Sequence, residues 1–407
     1  MQEISEEQLI LDGYQQYIVP SYRRLPLVVD HGEGSYLWDI KGKKYLDFTG
    51  GIAVNVLGHS HPVVREALQQ QSEKLIHCSN LYFHEPAWKL SRKIVSLIGQ
   101  GKVFFSNSGA EANECLFKLA RRYGESSNRF EILSFEGSFH GRTLAGIAAT
   151  GQQRIKKGFG PTMPGFRTIP KAGAKEFVES LSEKTVALIV EPIQGESGVH
   201  VFPSQDLVEI REICWEKKIL FFIDEIQCGL WRTGQFLAWQ SLVAEKMIDQ
   251  NLLPDGVSLA KGLGGGFPIG ASWINSEYCN VLDEGSHGTT FGGSPLACHV
   301  ALTVLEEIER KGLNKNILAM GNYLFSSLKN LEKKPQSLLQ EVRGMGGMLG
   351  LELSVPSFQA AIALLERGLL VAPSSGNTIR LLPPLNVSFE QIQEAESILK
   401  HFLFSML

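Results

Sequence analysis

Phe221-Phe222-Ile223-Asp224-Glu225-Ile226-Gln227 sets two carboxylates directly behind an apolar run that begins at Leu220. A short apolar run of this kind reads as a strand buried on both faces, as in parallel sheets. Similar runs recur at Val103-Phe104-Phe105, Ile132-Leu133, Val186 to Val190 and Val257 to Ala260, with turn signals around them and helical segments between several. Buried strands alternating with helices predict an α/β fold with a largely parallel sheet. Ligands of such sheets gather at the carboxyl ends of the strands. The residues there are polar in this chain: Ser106-Asn107-Ser108-Gly109, Glu191-Pro192, Asp224-Glu225 and Lys261-Gly262.

A carboxylate at the end of a buried strand is costly unless it is paired, so Asp224 is expected to face a cation or a hydrogen-bond donor. Two partners are open to it. It can cap the turn that comes next, or it can hold a protonated pyridine nitrogen.

Ser108-Gly109-Ala110-Glu111-Ala112-Asn113-Glu114 has capping-box spacing between Ser108 and Glu111, with an apolar stripe of Leu116, Leu119 and Ala120 behind it. A helix is predicted to start here. It is either an ordinary capped helix or a phosphate seat, because a strand, a glycine turn and a helix start together present free N–H groups and the positive end of the helix dipole.

In Asp255-Gly256-Val257-Ser258-Leu259-Ala260-Lys261-Gly262-Leu263-Gly264-Gly265-Gly266, a lysine follows an apolar run and precedes a glycine-rich turn. An amine held there can be desolvated, which lowers its pKa and makes it a nucleophile toward an aldehyde. The alternative is a nucleotide-binding loop, but neither GxxxxGK[ST] nor a complete GxGxxG occurs in the chain.

Bulk properties narrow the chemistry. With 407 residues, 43% of them hydrophobic, the chain can bury a large core, and its length implies a large domain with a smaller companion or two to three domains. A net charge of −4 offers no basic surface for nucleic acid or anionic lipid. The six cysteines form no CxxC pair, which fits neither a disulfide framework nor a zinc site and is consistent with a cytoplasmic home. Met1 to Glu7 is acidic where a targeting peptide would be basic, and no apolar run approaches a membrane span. His59-Ser60-His61 and His140 have too few neighbouring ligands in sequence for a metal site, so no metal is expected.

The motifs YLDFTGGIAVNVLGHSHP, FSNSGAEANE, FHGRT, EPIQGESGV, DEIQCGLWRTG, AKGLGGGFPIGA, HGTTFGGSPL and RLLPPL occur in this order between about Tyr22 and Pro384. Together they resemble the class III (ω-amino-acid) aminotransferases of the fold-type I pyridoxal-phosphate enzymes, and within that family most of all those acting on acetylornithine. The resemblance implies a large, mostly parallel-sheet domain with a smaller α+β domain. The division read from the chain is 1–60 for the N-terminal segment and part of the small domain, 61–295 for the cofactor-binding domain, and 296–407 for the C-terminal small domain.

It further implies that Lys261 bonds covalently to the aldehyde of pyridoxal phosphate and that Asp224 keeps the pyridine nitrogen protonated. Gln227 would lie near the ring's phenolic oxygen and Phe139 would stack on the ring, with His140 beside it in the cofactor-binding set. Ser108, Gly109 and Ala110 would hold the phosphate from one subunit and Thr290 from the other, which implies a homodimer with shared sites. On the substrate side, Arg142 and Tyr22 would bind a donor carboxylate remote from the reacting amine. Arg380 would bind the α-carboxylate of glutamate or 2-oxoglutarate, and Glu196 would pair with Arg380 while the donor is bound. Bidentate guanidinium–carboxylate pairing makes arginine apt for both sites.

The chain departs from the family's pattern at Trp231 and Ser294, and Ser197 stands beside Glu196 where Gly or Ala is common. Ornithine aminotransferases resembling this chain tend to carry Tyr at the position of Ile52. The lack of that hydroxyl favours an acylated donor, N-acetylornithine first, as in arginine biosynthesis. Ornithine, 4-aminobutyrate, succinylornithine and succinyl-diaminopimelate remain alternatives, and a non-catalytic cofactor-binding scaffold is the reading from a different class.

Overall fold

The structure, a computed structural model, describes residues 5–171, 173–243, 252–332 and 334–405. The acidic segment at the N-terminus therefore falls in part, at residues 1–4, outside the described residues. Three short antiparallel strands come first, β1 (Val29–Glu33), β2 (Tyr36–Asp39) and β3 (Lys44–Asp47). A large sheet begins with β4 (Gly101–Ser106), β5 (Glu131–Phe135), β6 (Phe166–Ile169) and β7 (Thr185–Val190). A small hairpin, β8 (Ile193–Gln194) and β9 (His200–Val201), precedes the remaining strands of that sheet, β10 (Leu220–Asp224), β11 (Gly256–Leu259) and β12 (Gly270–Asn275). The C-terminal part holds β13 (Leu339–Met345), β14 (Met348–Leu353), β15 (Leu369–Leu370), β16 (Ala372–Pro373) and β17 (Thr378–Leu381).

The large sheet runs β4-β12-β11-β10-β7-β5-β6. β12 is antiparallel to both neighbours, β4 and β11, and the other pairs are parallel. Every residue of β7 and β10 is buried, as a strand covered on both faces requires. The five apolar runs named from sequence correspond to β4, β5, β7, β10 and β11. β6 and β12 escaped because Phe166-Arg167-Thr168-Ile169 carries an arginine, tied to Glu131 on β5, and Gly270-Ala271-Ser272 opens with small residues.

The helix Gly109–Gly124 packs on β11 and β12 and buries Ala112, Asn113, Cys115, Leu116, Leu119 and Ala120. Ser108 caps it, accepting from the Glu111 N–H at 3.3 Å. The reciprocal half of the predicted capping box is different. Glu111 Oε2 accepts from the Asn107 N–H at 2.5 Å rather than from that of Ser108, because the chain turns sharply out of β4 and brings Asn107 into reach.

The second main sheet is β13-β14-β17-β16, and β15 pairs in parallel with β3, so the two ends of the chain share the sheet β1-β2-β3-β15. A capping box of Ser388 and Gln391 starts the closing helix Phe389–Phe404. All six cysteines are free. Among the described residues no helix is long and apolar enough to cross a membrane.

Trp231 is buried in the core, edge-on to Phe236 at 4.9 Å, although its φ of 60° lies in the left-handed region. That conformation costs roughly 1–2 kcal/mol for a residue with a side chain. Burial of the indole, which removes on the order of 150–250 Å² from water, offsets it.

Candidate active site

A cavity of about 430 Å³ opens at the carboxyl ends of β4, β7, β10 and β11. Ser108, Gly109, Ala110, Phe139, His140, Arg142, Glu196, Asp224, Gln227 and Lys261 all line it. The strand ends that looked polar in sequence therefore converge on one volume.

Asp224 forms its floor. Its Oδ2 accepts from Asn113 Nδ2 at 2.8 Å and lies 2.9 Å from His140 Nδ1, while Oδ1 accepts from the Ile226 N–H at 3.2 Å. Both readings of Asp224 are thus compatible with its place, since it caps the turn after β10 with one oxygen and lines the cavity. Asn113 holds it from the buried side of the helix Gly109–Gly124 and also donates to the His140 carbonyl at 3.0 Å. Two donors fix the orientation of one buried carboxylate, which limits reorganisation when a cation meets it.

Lys261 follows β11 with a φ of 46°, a left-handed conformation uncommon for a residue with a side chain. Strain of this kind collects at functional sites. Burial, and secondarily the nearby Arg380 guanidinium, pull the amine down to about 8. Glu191, at the end of β7, is pushed in the opposite direction, well above the usual carboxylate range, by burial and by Asp224. Its Oε2 accepts from the Phe139 N–H at 2.8 Å and so anchors the backbone that carries the Phe139 ring.

The residues fit pyridoxal phosphate. The first N–H groups of the helix Gly109–Gly124 open on the cavity, and such groups lack partners inside the helix. A Cβ on Gly109 would meet the Ile226 side chain at 2.7 Å, so a larger residue there would displace Ile226 from where the helix start meets the turn after β10. Lys261 has an amine that would meet the aldehyde and Asp224 a carboxylate that would meet the ring nitrogen, and both line the cavity. His140, whose Nδ1 faces that carboxylate, has its Nε2 buried without a hydrogen-bond partner.

Arg380, on β17, is 1% exposed, and its Nη1 pairs with Glu196 Oε2 at 2.9 Å. The same Nη1 reaches Gln227 Oε1 at 3.3 Å, while Nε is buried without a partner. The cation is thus covered by Glu196 and incompletely satisfied. Ser197 Oγ, next to Glu196, is also buried and unpartnered.

Three residues singled out from sequence lie at the exposed edge of the cavity or outside it. Arg142 is exposed at the cavity rim, with its guanidinium 5.5 Å from the Phe139 ring centre. Tyr22 is 75% exposed and does not line the cavity. Thr290 is exposed and also outside the lining, although Thr289 beside it accepts from Asn107 Nδ2 at 3.3 Å. His59 and His61 lie away from the cavity; His59 Nε2 is 2.7 Å from Asp47 Oδ2, and His61 precedes the helix Pro62–Lys74. No group of side chains among the described residues could hold a metal ion. Asn113 and Glu191 are the residues that sequence reasoning left without a role. A polar residue at the edge of the Leu116, Leu119 and Ala120 stripe was the available signal for Asn113.

The family model of class III aminotransferases matches residues 17–403. The chain is 42% identical to the acetylornithine aminotransferase of Caldanaerobacter subterraneus, over 96% of this chain and 98% of that one. It is 44% identical to the acetylornithine aminotransferase of Aquifex aeolicus, over 95% of this chain and all of that one. Among solved structures, the ornithine aminotransferase of Toxoplasma gondii superposes with a TM-score of 0.92 at 30% identity, covering 98% of this chain and 96% of that one. The mostly parallel large sheet with a smaller sheet domain is the fold-type I architecture, and the chain belongs to the class III aminotransferases, enzymes that work with pyridoxal phosphate.

Proposed function

We propose that the chain transfers the δ-amino group of N-acetylornithine to 2-oxoglutarate, giving N-acetylglutamate semialdehyde and glutamate, a step of arginine biosynthesis; the relatives it matches at 42% and 44% identity are acetylornithine aminotransferases. The observation that carries the reading is the pairing of the buried Arg380 guanidinium with the partly buried Glu196. The donor reacts at an amine with no carboxylate beside it, whereas glutamate reacts at one that has such a neighbour. A carboxylate that covers Arg380 for the first substrate and yields it to the second suits a two-stroke, ping-pong exchange at one site.

When bound, pyridoxal phosphate supplies an aldehyde that takes up the amine and a cationic ring that accepts an electron pair. In this reading Asp224, oriented by Asn113 and His140, stabilises the ring cation. Lys261, with an amine near pKa 8, is neutral often enough at physiological pH to remove the proton from the amine-bearing carbon and return it one position away. Phe139 would offer a face for the ring, Gln227 would serve its phenolic oxygen, and Ser108, Gly109 and Ala110 would seat the phosphate. Arg142 and Tyr22 receive the donor's distant carboxylate. Ile52, which offers no hydroxyl, suits an acylated donor better than free ornithine.

The reading includes a homodimer. Leu81, Tyr82, Phe83 and Phe291 are each more than half exposed, a cluster of large apolar side chains that a second copy would cover. Thr290, next to Phe291, would then reach the partner's phosphate seat. It also includes a cytoplasmic location and the division of the chain near residues 60 and 295.

The test is a single-turnover donor panel followed by absorbance. N-acetylornithine should bleach the cofactor band fastest, and 2-oxoglutarate should restore it. Faster turnover with ornithine, 4-aminobutyrate or a succinylated donor would reassign the substrate, and a band that no amine bleaches would make the protein a cofactor-binding scaffold.

A further inference from the structure

We infer that Arg343 is a positioning residue for the Glu196–Arg380 gate, fastening the loop that carries Glu196 onto the sheet that carries Arg380. The inference rests on the gate proposed for the two half-reactions and names the part that makes it work.

Glu196 lies in the tight loop between β8 and β9, with Gly195 on one side and Ser197 and Gly198 on the other. Arg343 is on β13, remote in sequence. Its Nε and Nη2 both donate to the Gly198 carbonyl, at 3.1 and 2.9 Å. Nη2 also donates to Thr378 Oγ1 at 3.0 Å and to Glu352 Oε2 at 2.9 Å, and Nη1 to Glu341 Oε2 at 2.6 Å. Thr378 is two residues before Arg380 on β17, so one guanidinium grips both the gate loop and the strand of the gated cation. From the other side, the Glu196 carbonyl accepts from Ser374 Oγ at 2.8 Å.

The close approach has a second mark. Gly350, on β14, pairs with Arg380 on one side and with Arg343 on the other. A Cβ at Gly350 would meet Val199 Cβ at 2.8 Å and the Gly198 carbonyl at 3.0 Å. A Cβ at Gly198 would meet Thr378 Oγ1 at 3.0 Å and Arg343 Nη2 at 3.1 Å. The loop is pressed on the sheet over the bare backbone between the two arginines.

A carboxylate that must cover a cation in one half-reaction and leave it in the other needs a fixed backbone, so that only its side chain moves. Arg343 supplies that fixed point. Its planar fork reaches one carbonyl with two N–H groups while holding acceptors on the sheet, a geometry lysine cannot copy. Loss of the suture lets Glu196 drift from Arg380, and the site then admits glutamate more readily relative to the ω-amine donor.

The experiment compares single-turnover rate constants for glutamate and N-acetylornithine in the holoenzyme of wild type, Arg343→Gln, Glu196→Ala and the double variant, with amide hydrogen exchange of the 193–201 peptide measured in parallel. Arg343→Gln should raise the glutamate-to-donor ratio by about 3- to 10-fold, the scale of coupling between contacting residues, and speed exchange in the loop. In the Glu196→Ala background the same substitution should leave the ratio unchanged, which a merely structural loss would not do. A ratio that moves equally with and without Glu196, or does not move in Arg343→Gln while it does in Glu196→Ala, overturns the role of Arg343. A ratio unmoved by Glu196→Ala overturns the gate itself. If Arg343→Gln does not fold, Thr378→Val, which removes one acceptor of the same guanidinium, is read against the same outcomes.

Discussion

The floor of the cavity and its rim are built on opposite plans. On the floor, Asp224 has Asn113, His140 and the Ile226 N–H within hydrogen-bond distance, and Lys261 is held in a strained conformation at the end of β11. At the rim, Arg142 is exposed and in no ion pair among the described residues, and Tyr22 and Thr290 lie outside the lining altogether. The floor is assembled within one chain, from sheet ends and the helix Gly109–Gly124, and its hydrogen bonds are already in place. In the function proposed above, substrate and a second subunit would complete the rim. Chemistry should therefore fail sharply when the floor is altered, and selectivity more gently when the rim is.

The largest effect is expected at Asp224. Asp224→Ala should slow both half-reactions by about a hundred- to a thousandfold, the range seen when one preorganised electrostatic group is removed, with saturating cofactor in stopped flow. A loss confined to cofactor affinity would make Asp224 a turn cap and erase the contrast. At the rim, Arg142→Ala should weaken the N-acetylornithine half-reaction by about 10- to 100-fold in kcat/KM, the worth of a charge-assisted hydrogen bond, chiefly through binding. An equal loss in the limiting rate would place Arg142 with the floor.

A smaller, energetic effect comes from burying Lys261. Its amine falls from 10.5 to about 8 in the folded protein, so between those values the unfolded chain holds the extra proton and stability rises with pH. The cost of the buried charge is full below pH 8 and is relieved as pH climbs toward 10.5. Lys261→Met should stabilise the cofactor-free protein at pH 7 by about 1–3 kcal/mol, and the difference should shrink over that window in urea titrations. A difference that is flat with pH would mean that packing, not charge, sets it.

Much of this architecture is legible in the sequence because the decisive strands are apolar along nearly their whole length. β7 and β10 have no exposed residue, so their runs stand out, and the acids at their carboxyl ends, Glu191 and Asp224, are marked as polar groups at the sheet edge. β12 and the β13-β14-β17-β16 sheet are less visible, since Gly270-Ala271-Ser272 has no apolar signature and β13 buries only Leu339 and Val342, with two exposed residues between them and no strand-like alternation. Asn113 is hidden for a different reason. Its amide is buried because Asp224 lies opposite, a contact across 111 residues that no local pattern carries. The grip of Arg343 on Gly198 is equally non-local. Sequence identifies the groups that do chemistry by their odd surroundings, whereas the groups that hold them look ordinary until the chain is folded.

Everything proposed for this site depends on Lys261 being the amine that meets the cofactor aldehyde and yields it to an N-acetylated ω-amine. Borohydride reduction of the holoenzyme with subsequent peptide mapping tests this directly. The pyridoxyl label should fall on Lys261 alone and should be lost when N-acetylornithine is added before reduction. A label on another lysine, such as Lys171, whose amine burial also draws down to about 8, or a label on Lys261 that N-acetylornithine leaves untouched, would contradict it.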